Sequence, residues 1–536
     1  MTTATTSYPP ACTPGPDGFP QLLRAEWTKF RTVRGWVTAL LAVTALTALA
    51  PIWLSSTATS NDPVTCTGRT CQVEGQYVAV GPAGTVVTDS LYFVHQPLGS
   101  TGALTARVTR LIGSAPFPRV PRGIDPAPRT ESWAKAGLMI KASTRPGAAY
   151  AAVMLTAGHG VRMQYNFTGD LAGPAVSGAT WLRLARAGDR ITGYESADGR
   201  SWAKLGSVTV PGLPVTAQAG IFVTSPPFQE GTGTGDNTIM DPTQASATFT
   251  SVALRGDQSG QAWQGTSIGA PPAGPAIQPG QGSPRKHRPR PEGVGMTERA
   301  GQFAVTGSGD IGPFQPIVDP LHIAFVATLF GLLAAIGLGV VFMTAEYRRS
   351  LIRTTVTASP RRIRVLAAKS IVVGTATFAA ALTGAAIAYP LSEHNLIKNG
   401  WTTRVWPDYA LTSSTGIRVV LGTALIAGAA AVLGVAAGTI FRRSAGAVTA
   451  VIGVVVLPLV LAIVVPLTPA TWLLRLTPAA AFSLQGTVPK YPQLSKVCAP
   501  YHGCLPLSGW HGYLVLCGWA AAALAGAICL LRRRDV

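Results

Sequence analysis

Charge is what this chain has least of. Only 12% of its 536 residues are Asp, Glu, Lys or Arg, against 47% apolar. The scarcity is concentrated: none of the four occurs from Gly35 to Asn61, Pro320 to Ala345, Ser370 to Ser392, Val419 to Phe441, Ser444 to Leu474 or Val497 to Leu531. Each stretch holds an apolar run long enough to cross a bilayer, since about 20 residues of helix cover the roughly 30 Å of hydrocarbon. Core helices of soluble proteins are usually shorter and keep a polar face, so six such runs argue for spans. The lack of Asp and Glu within them removes the proton relays and cation sites that intramembrane carboxylates build. No G-x-x-x-x-G-K-[ST] occurs, so no P-loop cradles phosphate here. Cysteine is sparse too, seven residues without a C-x2-C pair, which argues against structural zinc; no metal or cofactor is expected. The first run is too long for a cleaved leader and no A-x-A-like site follows Trp53, so it is expected to stay as an anchor.

The basic residues that are present sort by side. With the spans at 35–56, 321–345, 370–391, 418–441, 445–467 and 510–531 and both termini in the cytoplasm, the inner segments hold sixteen basic residues. They are Arg24, Lys29, Arg31, Arg34, seven between Arg348 and Lys369, Arg442, Arg443 and Arg532 to Arg534. The short outer loops, 392–417 and 468–509, hold six with Arg418: Lys398, Arg404, Arg418, Arg475, Lys490 and Lys496. Basic loops resist translocation, so this asymmetry sets the orientation and places the insert 57–320 outside. Cys66 with Cys71 and Cys498 with Cys504 fall on that outer side, where disulfides persist, and both pairs are expected to be oxidised. The insert is nearly neutral, so most of the net charge of +20 belongs to the membrane part and its inner loops rather than to a nucleic-acid-binding surface.

Residues 1–20 are Pro, Thr and Gly rich and read as disordered. Residues 21–34 put Leu23, Trp27 and Phe30 on one face of a helix lying in the inner interface. Within the insert, LYFVH, ALTARVTRLI, KAGLMIKAS, YAAVMLT, VRMQYNF, WLRLARA, RITGYES, AGIFVTS and ATFTSVAL alternate with Gly, Pro, Asp and Ser. They predict an antiparallel β-sandwich over 74–256, followed by a Gly/Pro/Gln/Ser-rich tether over 257–300. The fold class is therefore an α-helical polytopic membrane protein of six spans with an inserted all-β extracellular sandwich. Gly434 and Gly438 form a G-x-x-x-G, with Gly428 one and a half turns earlier, which permits close helix approach. Pro458 and Pro466 are expected to kink the fifth span. TWLLRLTPAAAFSLQG is amphipathic enough to lie at the outer interface or re-enter. The inner tail is 532–536.

AEWTKFRTVRGW, TAEYRRSLIRTTVTASPRRIRVLAAK, GTIFRRSAGAV, WLLRLTPAAAFSLQ and LLRRRDV resemble the permease subunits of type-2 ABC exporters from high-GC bacteria, over residues 20–54 and 320–536. WAKAGLMIKAS, GHGVRMQYN and WLRLARAGDRITGYESADGRSW resemble a concanavalin-like (laminin-G-type) domain. The first resemblance implies a bacterial plasma-membrane protein without catalytic residues that dimerises with itself or a relative and is driven by a separate ATPase subunit, which binds the ATP. It also implies that the interfacial helix and the loop 346–369 meet that subunit, through Trp27, Lys29, Arg31, Glu346, Tyr347, Arg348, Arg349, Arg353, Arg361 and Arg362. The alternative is a membrane-anchored carbohydrate-binding or sensor protein, for which Trp133, Tyr165, Tyr194 and Trp202 are candidate sugar-stacking side chains. A hydrolase reading is disfavoured. A glycosidase needs two carboxylates facing a cleft, whereas Glu195 and Asp198 flank a hairpin turn, SADGRSW resembles a shortened Asp-box, and His159 reads as a loop residue.

Overall fold

The computed structural model describes residues 18–60, 65–67, 70–73, 76–114, 130–175, 178–231, 238–241, 243–269, 294–316, 318–348, 362–401, 410–494 and 503–533. The expectations for 1–17 of the N-terminus, for Arg349, Arg353 and Arg361, for Cys498 and for 534–536 of the tail lie outside these residues.

The helical part begins with α1 (Phe19–Thr32), started by Gly18 with Pro20 in its first turn, and halted at Val33, whose backbone is extended. Then α2 (Arg34–Thr57) runs without a charge after its first residue. After the β insert come α3 (Pro320–Val326) and α4 (Leu329–Arg348), α5 (Arg362–Lys398), α6 (Ser414–Phe441), α7 (Ser444–Val455) and α8 (Leu457–Val464). α9 (Leu467–Leu476), a 3-10 helix (Pro478–Gln485) and α10 (Gly509–Arg533) complete it. Among the described residues five helical segments, with α3–α4 taken as one, are long and apolar enough to cross a membrane, or six if α7 and α8 are one bent crossing.

Three boundaries differ from expectation for physical reasons. α5 continues to Lys398 through what reads as an outer loop, since EHNLIK contains no breaker before Asn399-Gly400; at 37 residues it is about 55 Å long. The fifth run bends by 41° between α7 and α8, where Pro458 brings no N–H to the helix; Pro466 instead stands at the start of α9. The second run breaks at Ala327–Thr328. There the buried Gln485 amide donates to both Thr328 Oγ1 and Thr423 Oγ1 at 3.0 Å, joining the break to the 3-10 helix and α6.

α6 is the enclosed helix of the bundle, buried along most of its length. Its glycines let neighbours touch backbone to backbone. A Cβ at Gly434 would stand 2.8 Å from the Ile336 carbonyl oxygen, one at Gly438 3.0 Å from that of Val340, and one at Gly428 3.1 Å from that of Gly374. The G-x-x-x-G thus packs α6 on α4 within the chain, and Gly339 on α4 answers it, with a Cβ there 2.2 Å from the Ala431 oxygen. The carboxyl end of α2 is fastened to α5 by Asn395 and Asn399, whose amides donate to the carbonyls of Ile52, Ser55 and Ser56.

The insert is a sandwich of two antiparallel seven-stranded sheets. The front sheet runs Gly169–Ala172, Gly160–Tyr165, Tyr150–Thr156, Lys135–Lys141, Ala217–Thr224, Leu91–Leu98, Gln264–Ile268. The back sheet runs Ala203–Thr209, Arg190–Ser196, Thr180–Ala187, Thr101–Ser114, Gln244–Gly256, Gln302–Gly307, Gly295–Arg299. All nine sequence-predicted strands are present. Alternation explains the core: Leu104, Ala106, Val108, Leu138, Ile140, Leu182, Leu184 and Ile191 point between the sheets. The tether reading is corrected at both its ends, where Gln264–Ile268 and Gly295–Arg299 add edge strands to the front and back sheets.

A third sheet of five short strands, Thr65–Thr67, Thr70–Val73, Gln76–Val80, Val86–Asp89 and Ile311–Pro313, covers the outer face of the front sheet. Its Ala79, Val87 and Ile311 pack on Phe93, Met139, Tyr150, Met154 and Phe222. Cys66 lies opposite Cys71 in this sheet; Cys71 is disulfide-bonded, and so, in a bridge of its own, is Cys504.

Candidate functional site

The residue types that single out the interfacial helix converge on one cluster. On α1, Glu26 and Phe30 share the buried face, while Trp27 and Arg31 stay outside, Trp27 at 45% exposure. Phe30 meets Phe342 of α4 edge-on, with ring centroids 5.5 Å apart. Beside that contact Lys369, near the start of α5, donates from Nζ to Glu26 Oε2 at 2.7 Å and to Glu346 Oε1 at 2.7 Å. Lys29 donates to the same Glu346 oxygen, and the Lys369 ammonium lies 4.9 Å from the centre of the Phe342 ring. Lys369 is 0% exposed, Glu346 2% and Glu26 4%. Two acids and two bases, three of them buried, therefore join α1 to the end of one long helix and the beginning of the next.

The geometry differs from the expected one in a way the chemistry explains. Glu346 is not on an accessible surface, because its carboxylate is used within the chain by Lys369 and Lys29. Tyr347 is half-buried beneath the Arg442 guanidinium, whose carbon is 5.4 Å from the ring centre. Arg362 donates to the Leu531 carbonyl of α10 at 2.6 Å. Trp27, Arg31 and Arg348 are the expected contact residues that remain exposed around the cluster. Glu26 and Lys369 carry the geometry and were not singled out. Glu26 is the lone acid in the basic helix LLRAEWTKFRTVR, as Glu346 is in its own stretch; two solitary acids among bases were the available signal.

The four aromatic candidates of the sandwich do not form one surface. Trp133 is 4% exposed and stacks on His159 at 3.9 Å between ring centroids. Burial, and behind it the neighbouring Arg162, lowers the His159 pKa from its ordinary value. Tyr165 packs against the core between the sheets. Trp202 has its ring taken by the Arg183 guanidinium at 4.0 Å, and Arg183 pairs across strands with Tyr194. The outer face of the front sheet is closed by the covering sheet and by two buried ion pairs. Lys135 meets Asp310 at 2.8 Å, Lys141 meets Asp89 at 2.6 Å, and both lysines are 0% exposed.

Asp198 is a turn residue. Its Oδ1 accepts from the Arg200 and Ser201 N–H groups at 2.8 Å and from Ser196 Oγ at 2.9 Å, which draws its pKa down to about 2. Burial raises the pKa of Glu195, whose strand runs into that turn. Among the described residues no group of three or more His, Cys, Asp or Glu is placed to hold a metal.

Neither a protein-family model nor a curated protein sequence matches the chain. Solved structures align only slightly. One is SCP-B, a member of the eqolisin family of peptidases, in complex with the tripeptide Ala-Ile-His: 10% identity over 40% of this chain and 98% of that one, TM-score 0.24. Lectin I-B4 from Griffonia simplicifolia gives 13% over 39% of this chain and 94% of that one, TM-score 0.18. The GH43 protein BlXynB from Bacillus licheniformis gives 18% over 26% and 25%, TM-score 0.16. Likenesses this slight carry no argument about what the chain does.

Proposed function

We propose that this chain is the membrane-spanning permease subunit of an ATP-driven ABC exporter, working as a pair and driven by a separate ATPase subunit. In this reading α2, α3–α4, α5, α6, α7–α8 and α10 are six crossings, both termini are cytoplasmic, and the sandwich is extracellular. The observation that supports it is the buried cluster of Glu26, Lys29, Glu346 and Lys369. It makes α1 and the facing ends of α4 and α5 one mechanical unit, with Trp27, Arg31 and Arg348 exposed beside it. A partner that displaces this surface displaces two long helices together, which is the coupling that a gating motion needs.

The test is purification of the tagged full chain from native membranes. An ATPase subunit is expected to accompany it, and to be lost from an Arg31→Glu, Arg348→Glu variant whose sandwich is still displayed. Purification without ATPase activity would leave the second reading, a β domain on a helical anchor.

A further inference from the structure

A cavity of about 730 Å³ lies where the sandwich returns to the helices, bounded by the start of α3, the amino ends of α6 and α10, and the segment after the 3-10 helix. Most of its wall is apolar, including Ile417, Leu421, Leu505 and Trp510. Two cations enter it, Arg418 and Lys490. Arg418 gives one N–H to the Gly486 carbonyl at 2.5 Å, and Lys490 donates to the carbonyls of Leu505 and, at 3.0 Å, of Leu507. Neither is paired with a carboxylate among the described residues.

The acid in the wall is bonded to neutral donors and makes no ion pair with either cation. Asp319 is saturated by four donors: the N–H groups of His322, Thr487 and Val488 and the Thr487 hydroxyl. Desolvation, and behind it the neighbouring Arg418, hold the Lys490 pKa below the ordinary lysine value, as for an ammonium that lacks an anion. The α6 amino end adds the positive pole of a 28-residue helix, since Ser414 and Thr415 line the cavity. His322, buried in the same wall, has an Nδ1 without a hydrogen-bond partner.

Positive charge that meets no carboxylate among the described residues, set in a mostly apolar wall, selects a ligand with an anionic head and an apolar remainder. We propose that this cavity binds an anionic amphiphile, its head group on Arg418, Lys490 and the amino end of α6, its apolar body against Ile417, Leu421 and Trp510. The site is independent of whether the chain moves a cargo.

Native mass spectrometry of the full chain in neutral detergent tests this with three probes: phosphatidylglycerol, phosphatidylcholine of the same acyl chains, and inorganic phosphate. Phosphatidylglycerol is expected to be retained about tenfold more tightly than phosphatidylcholine. That preference should fall to parity in an Arg418→Gln, Lys490→Gln variant. Leu421→Trp, which fills the cavity and keeps both charges, should abolish retention, and it serves if the charge variant does not fold. Inorganic phosphate should give no adduct at the same concentration. Equal retention of the two lipids, an unchanged preference in both variants, or phosphate bound as well as the lipid and indifferent to Leu421→Trp would each overturn the proposal.

Discussion

Lys369 Nζ stands 2.7 Å from Glu346 Oε1, with one side chain 0% and the other 2% exposed. Removing the cation leaves the Glu26 and Glu346 carboxylates facing each other away from water, with only Lys29 at the margin. Lys369→Met is therefore expected to destabilise the docking of α1 by about 3–5 kcal/mol, seen as a lower melting temperature and faster proteolysis at Val33. Adding Glu26→Gln and Glu346→Gln should recover much of the loss. A Lys369→Met chain that melts like the wild type would remove the cluster from the account.

The same geometry separates two substitutions that look alike in sequence. Glu346→Lys places a third ammonium beside Lys29 and Lys369, so it should lower the melting temperature as well as any coupling. Arg348→Glu acts on an exposed side chain, and should leave the melt unchanged while weakening retention of the proposed ATPase subunit. Melting curves and pull-downs on the two variants distinguish them; equal melting of both would contradict the burial of Glu346.

Backbone contact between α4 and α6 predicts a contrast among glycines. Gly339→Ala and Gly434→Ala force the helices apart and should cost about 1–3 kcal/mol each. Gly337→Ala and Gly453→Ala meet nothing within 4 Å, and are expected to be neutral or slightly stabilising, since Ala favours helix. Thermal unfolding of the four variants checks the order.

The Asp198 turn gives a pH dependence. Its folded pKa is drawn below the ordinary aspartate value of 3.8 to about 2, so its stabilising contribution is complete above 3.8 and disappears as pH falls towards 2. The melting difference between wild type and Asp198→Asn should be constant from pH 7 to about 5 and shrink in that acid window. A difference that grows on acidification would refute the turn geometry.

Much of the fold was legible because alternation and uninterrupted apolarity are local signals. In Thr180–Ala187 every second residue is buried, which WLRLARA shows at Leu182 and Leu184, while Arg186 keeps the register as a buried cation. The two edge strands were not legible: QGTSI and GMTER carry few apolar residues, and their place in the sheets rests on backbone pairing. At the cluster, Glu346 read as a surface charge because its partners lie 317 and 23 residues away, and one sequence holds no record of such contacts. The G-x-x-x-G showed a closely packed face, while the identity of its neighbour, α4, appeared only in three dimensions.

The covering sheet has a mechanical consequence. Val86–Asp89 carries the chain into the sandwich and Ile311–Pro313 carries it out, and the two pair antiparallel through Asp89 with Ile311, Thr88 with Gly312 and Val87 with Pro313. The sandwich thus stands on a clasped neck of two strands, locked to its body by the Lys135–Asp310 and Lys141–Asp89 pairs. Tilting it requires both strands to bend together. A torque applied to the domain, by a bound antibody for instance, meets this clasp and is shared by its two strands.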